Sequence, residues 1–173
     1  MCDLTYSGFT ISMHYHDGKG DPDPDPVSEG TPAVRNVHYE NITVDGADTA
    51  ALFEGLPEMP ISDVSLSNVR VERARRGGDV SNAEGVFLHD VTVTAAETPA
   101  VSARSVADLD VDRLRAPTPD PDIPVCQFED VDGALVHACA AAEGTGTFLD
   151  LENCRDVAVS GNRLGRAETA VSE

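Results

Sequence analysis

"FEGLPEMPISDVSLSNVRV", residues 53–71, is the stretch on which the fold turns. Its first half is a compact corner. Pro57 and Pro60 fix φ and remove two amide donors, and Gly55 permits a conformation that other residues resist. Together they predict a sharp turn from one sheet of the molecule to the next. Its second half alternates apolar and polar residues, with Ile61, Val64, Leu66, Val69 and Val71 on the apolar side, the pattern of a half-buried strand.

That second half recurs along the chain. "RNVHYENITV", "SDVSLSNVRV", "EGVFLHDVTV", "ADLDVDRLRA", "EDVDGALVHA" and "RDVAVSGNRL" each open on polar residues, alternate, and carry a turn-forming residue near the middle. Taking Val37, Val64, Val86, Leu109, Val131 and Val157 as anchors, subtraction gives spacings of 27, 22, 23, 22 and 26. A weaker series precedes the anchors: "FTISMHY", "AALFEG", "GDVSNA", "AVSAR", "PVCQFE" and "TFLDLE". Each period therefore carries two short strands and their turns.

Such a period suits a leucine-rich repeat or a parallel β-helix. Val and Ile dominate over Leu, and no segment has helical periodicity, so the expectation is an all-β, right-handed parallel β-helix forming one domain over residues 1–173. With rungs about 4.8 Å apart, about six rungs span roughly 30 Å. Asn41, Asn68 and Asp90 each lie four residues after an anchor and would form a ladder of left-handed turns. Asn41-Ile42-Thr43 also spells a glycosylation sequon, but Asn68 and Asp90 fill the same slot without one, so Asn41 is read as structural. Residues 16–32, "HDGKGDPDPDPVSEGTP", break the rhythm. Alternating prolines bar them from a central strand, and they are read as an Asp-Pro-rich surface loop.

Composition narrows the function. The formal net charge is −19, with 31 acidic residues against 12 basic ones. That argues against binding nucleic acid or an anionic membrane. It suits solubility in concentrated salt, where the Debye length falls to roughly 3 Å at 1 M; an ordinary acidic protein has the same composition. No apolar run is long enough to span a bilayer, and no basic and apolar leader follows Met1. Cys2, Cys126, Cys139 and Cys154 form no C-x-x-C and have no paired histidines beside them, so no metal site is expected. Cys139 and Cys154 could face each other on neighbouring turns; free core thiols are the other reading.

"GLPEMPISDVSLSNVRV" resembles the C-terminal third of glycoside hydrolase family 28, the polygalacturonases and related pectin-degrading enzymes. "TPAVRNVHYENITVDGA" is similar to the strand-turn-strand before that corner, and "FTISMHY" to the strand that closes the family's active-site face. The resemblance covers residues 4–95 and then thins to generic rungs. It implies the pectin-lyase-like solenoid, a galacturonan-type polysaccharide as partner, and no cofactor. The family inverts configuration with a carboxylic acid and a carboxylate-activated water, carried by Asn-Thr-Asp and Asp-Asp motifs with Gly-His-Gly and Arg-Ile-Lys after them. None of the four occurs in these residues. The resemblance thus implies a domain truncated on its N-terminal side, catalytic residues none, inactive alone, and prone to self-association through an open N-terminal rung. Tyr15, in "ISMHY", matches the tyrosine that contacts the sugar beside the scissile bond. It either keeps that role or merely ends a strand; His14 and His16 carry no such match. The alternative to the hydrolase reading is a non-catalytic carbohydrate-binding or surface β-helix module.

Three clusters imitate sites. Asp108, Asp110 and Asp112 are expected on one strand face, with neighbours roughly 6.6 Å apart, inside the range of an inverting pair. With Leu109 and Val111 inward, they are expected to look out into water, as are Asp130 and Asp132. Asp21, Asp23 and Asp25 have calcium-loop spacing, but Pro26 replaces the glycine of the sharp turn and no bidentate Glu follows. Arg70, Arg73, Arg75 and Arg76 suit carboxylate polymers, yet are expected to neutralise acidic neighbours after a strand.

Overall fold

The structure is a computed structural model that describes residues 7–13 and 27–173. Eight strands run through these residues: β1 (Phe9–Ser12), β2 (Arg35–Glu54), β3 (Ile61–Ala95), β4 (Val101–Asp112), β5 (Cys126–His137), β6 (Thr147–Glu152), β7 (Arg155–Ser160) and β8 (Thr169–Ser172). The described residues contain no helix, and so none long and apolar enough to cross a membrane. All inter-strand pairings are parallel, in the order β1-β2-β3-β4-β5-β6-β8 with β7 also on β5. The chain is a parallel β-solenoid of about six turns.

Each full coil has three sides, where the repeat suggested two strands. Side A carries the weaker series: Phe9, Ala51, Gly78, Val101, Cys126 and Leu149 stack in register. Side B begins at the anchors, and side C is the short stretch after the mid-repeat Asn or Asp. The ten-residue motif is therefore not one strand. It bends at a single residue and supplies two sides.

Those single-residue corners hold the coil. Asn41, Asn68, Asp90, Arg113 and Ala138 have φ between 52° and 56°, and Gly161 has 65°; they form the B–C corner. The expected ladder is present there, with Asn68 Nδ2 donating to Asn41 Oδ1 at 2.7 Å. A second left-handed column, Asn36, Asp63, Gly85, Asp108, Gly133 and Asp156, precedes side B. A third, Asn82, Ser105, Asp130 and Asn153, ends side A. Asn and Asp visit this region with little strain because their short side chains bond locally.

The register corrects one anchor. Leu109 pairs with Ala134, not Val131, and Ala134 pairs with Val157. Val131 stacks on Val106 at the corner after side A. Inward residues form continuous apolar columns, among them Phe53, Val80, Ala103 and Phe128. Phe53 and Phe128 are fully buried. Tyr39 packs edge-on against Phe9 with ring centroids 4.9 Å apart, and stacks on Phe53 at 6.0 Å. At the first coil Val37, Tyr39, Ile42 and Val44 are half-buried, whereas their partners Val64, Leu66, Val69 and Val71 one coil on are buried.

The Gly-Leu-Pro-Glu-Met-Pro corner sits between sides A and B, as its sequence suggests. Leu56 and Met59 exchange two backbone hydrogen bonds, at 3.2 and 3.1 Å, which close a tight loop. The reason for Gly55 is different from the expected one: its backbone is not left-handed. A Cβ there would lie 2.1 Å from the Asn82 carbonyl oxygen and 2.6 Å from the Ile61 nitrogen. Both are backbone atoms of packed strands and cannot move aside cheaply. Gly55→Ala is therefore expected to lower stability by about 1–3 kcal/mol, the range for overpacking. Gly165→Ala, where no atom lies within 4 Å, should change it by less than about 0.5 kcal/mol. Urea unfolding followed by circular dichroism would measure both; equal effects would refute the close-packing role.

Candidate functional site

Outward positions on side B bring together histidine, aspartate and arginine side chains from successive coils. Two columns run up this side. The first is His38, Ser65, Phe87, Asp110, Leu135 and Ala158; the second is Glu40, Ser67, His89, Asp112, His137 and Ser160. His89 Nδ1 lies 2.6 Å from Asp112 Oδ2, and His137 Nδ1 lies 3.5 Å from Asp112 Oδ1. His137 Nε2 reaches Asp110 Oδ1 at 3.1 Å. Arg113, at the corner, lies 3.5 Å from Asp112 Oδ2 and also bonds His89 Nε2. Below them His38 Nδ1 meets Ser65 Oγ at 2.7 Å.

This cluster corrects the reading of the three aspartates. Asp108 occupies a left-handed corner with φ 54° and is not on the strand face. Asp110 is half-buried and Asp112 is buried at 9 % exposure, so neither simply faces water. Two imidazoles and a guanidinium cover Asp112. The histidines could not be linked to it before the register was known, since each belongs to a different coil. Asp130 is likewise a corner residue, and Asp132 pairs with Arg155 at 3.2 Å.

Every arginine of the expected basic cluster is engaged. Arg70 lies 3.6 Å from Glu72, Arg73 2.6 Å from Asp45, Arg75 2.7 Å from Asp48 and 2.9 Å from Glu97, and Arg76 2.8 Å from Asp48. The cluster neutralises acidic neighbours, as expected. Sequence reading missed a different set: Arg115 is an outward residue of side C, in a column with Thr92, Ala140 and Arg163. Thr92, Arg115 and Arg163 each stand six residues after their anchors Val86, Leu109 and Val157, and that shared offset was the available signal.

On side A, Asp79 faces outward above Leu52 and below Ser102. Burial pushes its carboxyl above the ordinary range, opposed by Arg104 and reinforced by Glu54. Asp48 goes the other way, held down to about 2 by hydrogen bonds from Arg75 and Arg76. Among the cysteines, Cys126 and Cys139 are buried and free, and burial raises both thiols. Cys139 Sγ points at the Val111 and His137 carbonyls, 3.5 and 3.2 Å away, so it does not face Cys154.

Tyr15, His14, His16, Cys2 and the Asp21, Asp23 and Asp25 triplet lie outside the described residues, as does most of the loop 16–32. Among the described residues, no three His, Cys, Asp or Glu side chains are placed to hold a metal ion. A small apolar void of about 20 Å³ inside the coil, lined by Phe9, Ala51, Phe53 and Val80 among others, is too small for a sugar ring. No family model, no curated protein and no solved structure matches this chain.

The two shifted carboxyls predict opposite pH behaviour. Asp48 has a depressed folded-state pKa, so its contribution is present above the ordinary carboxylate range and is lost as pH falls toward 2. Asp79 has a raised one, so its ionisation opposes folding, and stability falls as pH rises through that pKa. Asp79→Asn should raise the urea midpoint at pH 7 and converge with wild type in acid. Asp48→Asn should lower it at pH 7, with the gap closing in acid. Parallel pH profiles for variant and wild type would contradict the assignment.

Proposed function

We propose that this chain is the C-terminal β-helical part of a polygalacturonase-like glycoside hydrolase that acts on pectin-type polysaccharides, and that these residues do not catalyse by themselves. The observation that carries the reading is the closed corner at residues 55–60. It lies between two sides of a stacked parallel solenoid and leads straight into a strand, the context in which the resembling motif occurs. The solenoid architecture and the "FTIS" strand on side A, the side that would continue the family's sugar-facing sheet, support it further. No Asn-Thr-Asp, Asp-Asp, Gly-His-Gly or Arg-Ile-Lys motif stands in the 173 residues, so the acid and the water-activating carboxylate must come from outside them. Tyr15 would contact the sugar next to the bond that breaks.

The acidic surface supports a second part of the proposal, a working environment of concentrated salt. Self-repulsion at −19 weakens as the Debye length shrinks. The half-buried apolar positions of the first coil would be met by preceding coils or by another molecule.

The test is a reducing-end assay on polygalacturonate, in dilute buffer and in molar potassium chloride. No release above blank is expected from this chain at either salt. Supplying a polypeptide that carries the four missing motifs should restore hydrolysis. Turnover by the chain alone would overturn the non-catalytic part of the proposal. Failure of every such complement, alongside an intact fold, would remove the hydrolase reading.

A further inference from the structure

Side B contains an anomaly that the hydrolase reading does not absorb. Of the five phenylalanines, Phe9, Phe53, Phe128 and Phe148 are buried, while Phe87 is 47 % exposed. It stands outward between Val86 and Leu88, which are buried. Two coils further up the same column Leu135 is also exposed, with Asp110 between them. An exposed ring has no role in the core, and the same column carries Ser65 and Ala158 in other coils, so the fold does not require an aromatic there. Beside this column runs the His89, Asp112 and His137 ladder, with Arg113 at its edge.

The strip carries few formal charges. Asp110 and Asp112 are its acids from Ser65 to Ser160, and each meets an imidazole. Imidazoles and hydroxyls, in place of further acids, fill most of its polar positions on a chain of net charge −19. Its polar groups are held in fixed orientations by one another. Apolar and ring surface lies directly alongside them. That combination matches a pyranose, which has a C–H face to lie on a ring and a rim of hydroxyls that both donate and accept.

We propose that the outward strip of side B, centred on Phe87, His89, Asp110, Asp112, Leu135 and His137, binds an uncharged saccharide chain. An anionic polymer is a poorer occupant of this strip: it would face the Asp110 and Asp112 carboxylates, and Arg113 is already committed to Asp112 and His89. A second copy is poorer too, since pairing would bring two chains of net charge −19 together. The strip lies away from side A, and the proposal does not rest on the hydrolase reading.

Native gels cast with a soluble neutral galactan, a neutral glucan, polygalacturonate or no polymer test it. Wild-type protein is expected to be retarded by at least one neutral polymer. Phe87→Ala should bind that polymer about tenfold more weakly, and Leu135→Ser should also weaken it. Arg70→Ala, on side C, should match wild type. Because both strip variants alter exposed positions, far-ultraviolet circular dichroism should be unchanged. Retardation by polygalacturonate alone, none by any polymer, or equal retardation of Phe87→Ala would each overturn the proposal. A wild-type dimer in sedimentation that Phe87→Ala dissolves would overturn it in favour of self-contact. Neutral-polymer binding without hydrolysis would uphold it whatever the outcome on polygalacturonate.

Discussion

The left-handed backbone at the coil corners is the constraint on which the structure depends. A parallel solenoid contains no hairpin between its sides, and at most corners between sides A, B and C here the chain turns within one residue. For most residues the left-handed conformation costs about 1–2 kcal/mol. Among the described residues, ten of the fourteen non-glycine residues with positive φ are Asn or Asp, which carry least of that cost. The corners also set the register. Moving one by a single position would turn every following side chain to the opposite face, and the ladder from Val37 through Val64, Val86, Leu109 and Ala134 to Val157 would break. Local corner chemistry and long-range apolar stacking thus specify the same arrangement, the kind of agreement that gives a single native state.

Much of this was legible in the sequence because the corner residues are chemically distinctive. Asn41, Asn68 and Asp90 stood out at one offset, and they form one column. The misplaced anchor has the same origin. "EDVDGALVHA" offers two corner signals, Asp130 before Val131 and Gly133 before Ala134. Both have positive φ, but they belong to different columns, and only pairing with the neighbouring coil tells them apart. The third side was marked only by a one-residue slip in the alternation, as where Leu66 and Val69 stand three apart around Asn68. Gly55 was legible as a requirement for glycine but not for its reason, since close approach of Asn82, 27 positions away in sequence, cannot be seen in a local stretch.

The cluster on side B was the least legible. Alternation correctly put Leu109 and Val111 inside, which left Asp110 and Asp112 outside. Water was then assumed to be their neighbour. In a solenoid the neighbour of an outward residue is the outward residue one coil away, and for Asp112 those are His89 and His137. The same rule hid Arg115 and Arg163 on side C. Reading outward positions down the columns of an aligned repeat, as one reads the inward ones, would have exposed both sets.

That rule also explains how so acidic a chain can stack in register. Coils about 4.8 Å apart bring like charges together wherever a column repeats an acid, as it does where Glu129 meets Glu152. Asp45 likewise stacks on Glu72, but elsewhere arginines interrupt the acids. Arg73 reaches down to Asp45, Arg75 to Asp48, Arg104 up to Glu129, and Arg155 down to Asp132. Exposed pairs of this kind each add little stability. Their larger effect is to interrupt a run of carboxylates that would otherwise push the coils apart. Side B achieves this interruption with histidine in place of arginine. The imidazoles separate and bond Asp110 and Asp112 without lining the strip with permanent cations, and the outward Phe87 and Leu135 add none. The result is a strip whose two acids are each bonded by an imidazole, bordered by the corner acids Asp63, Asp108 and Asp156.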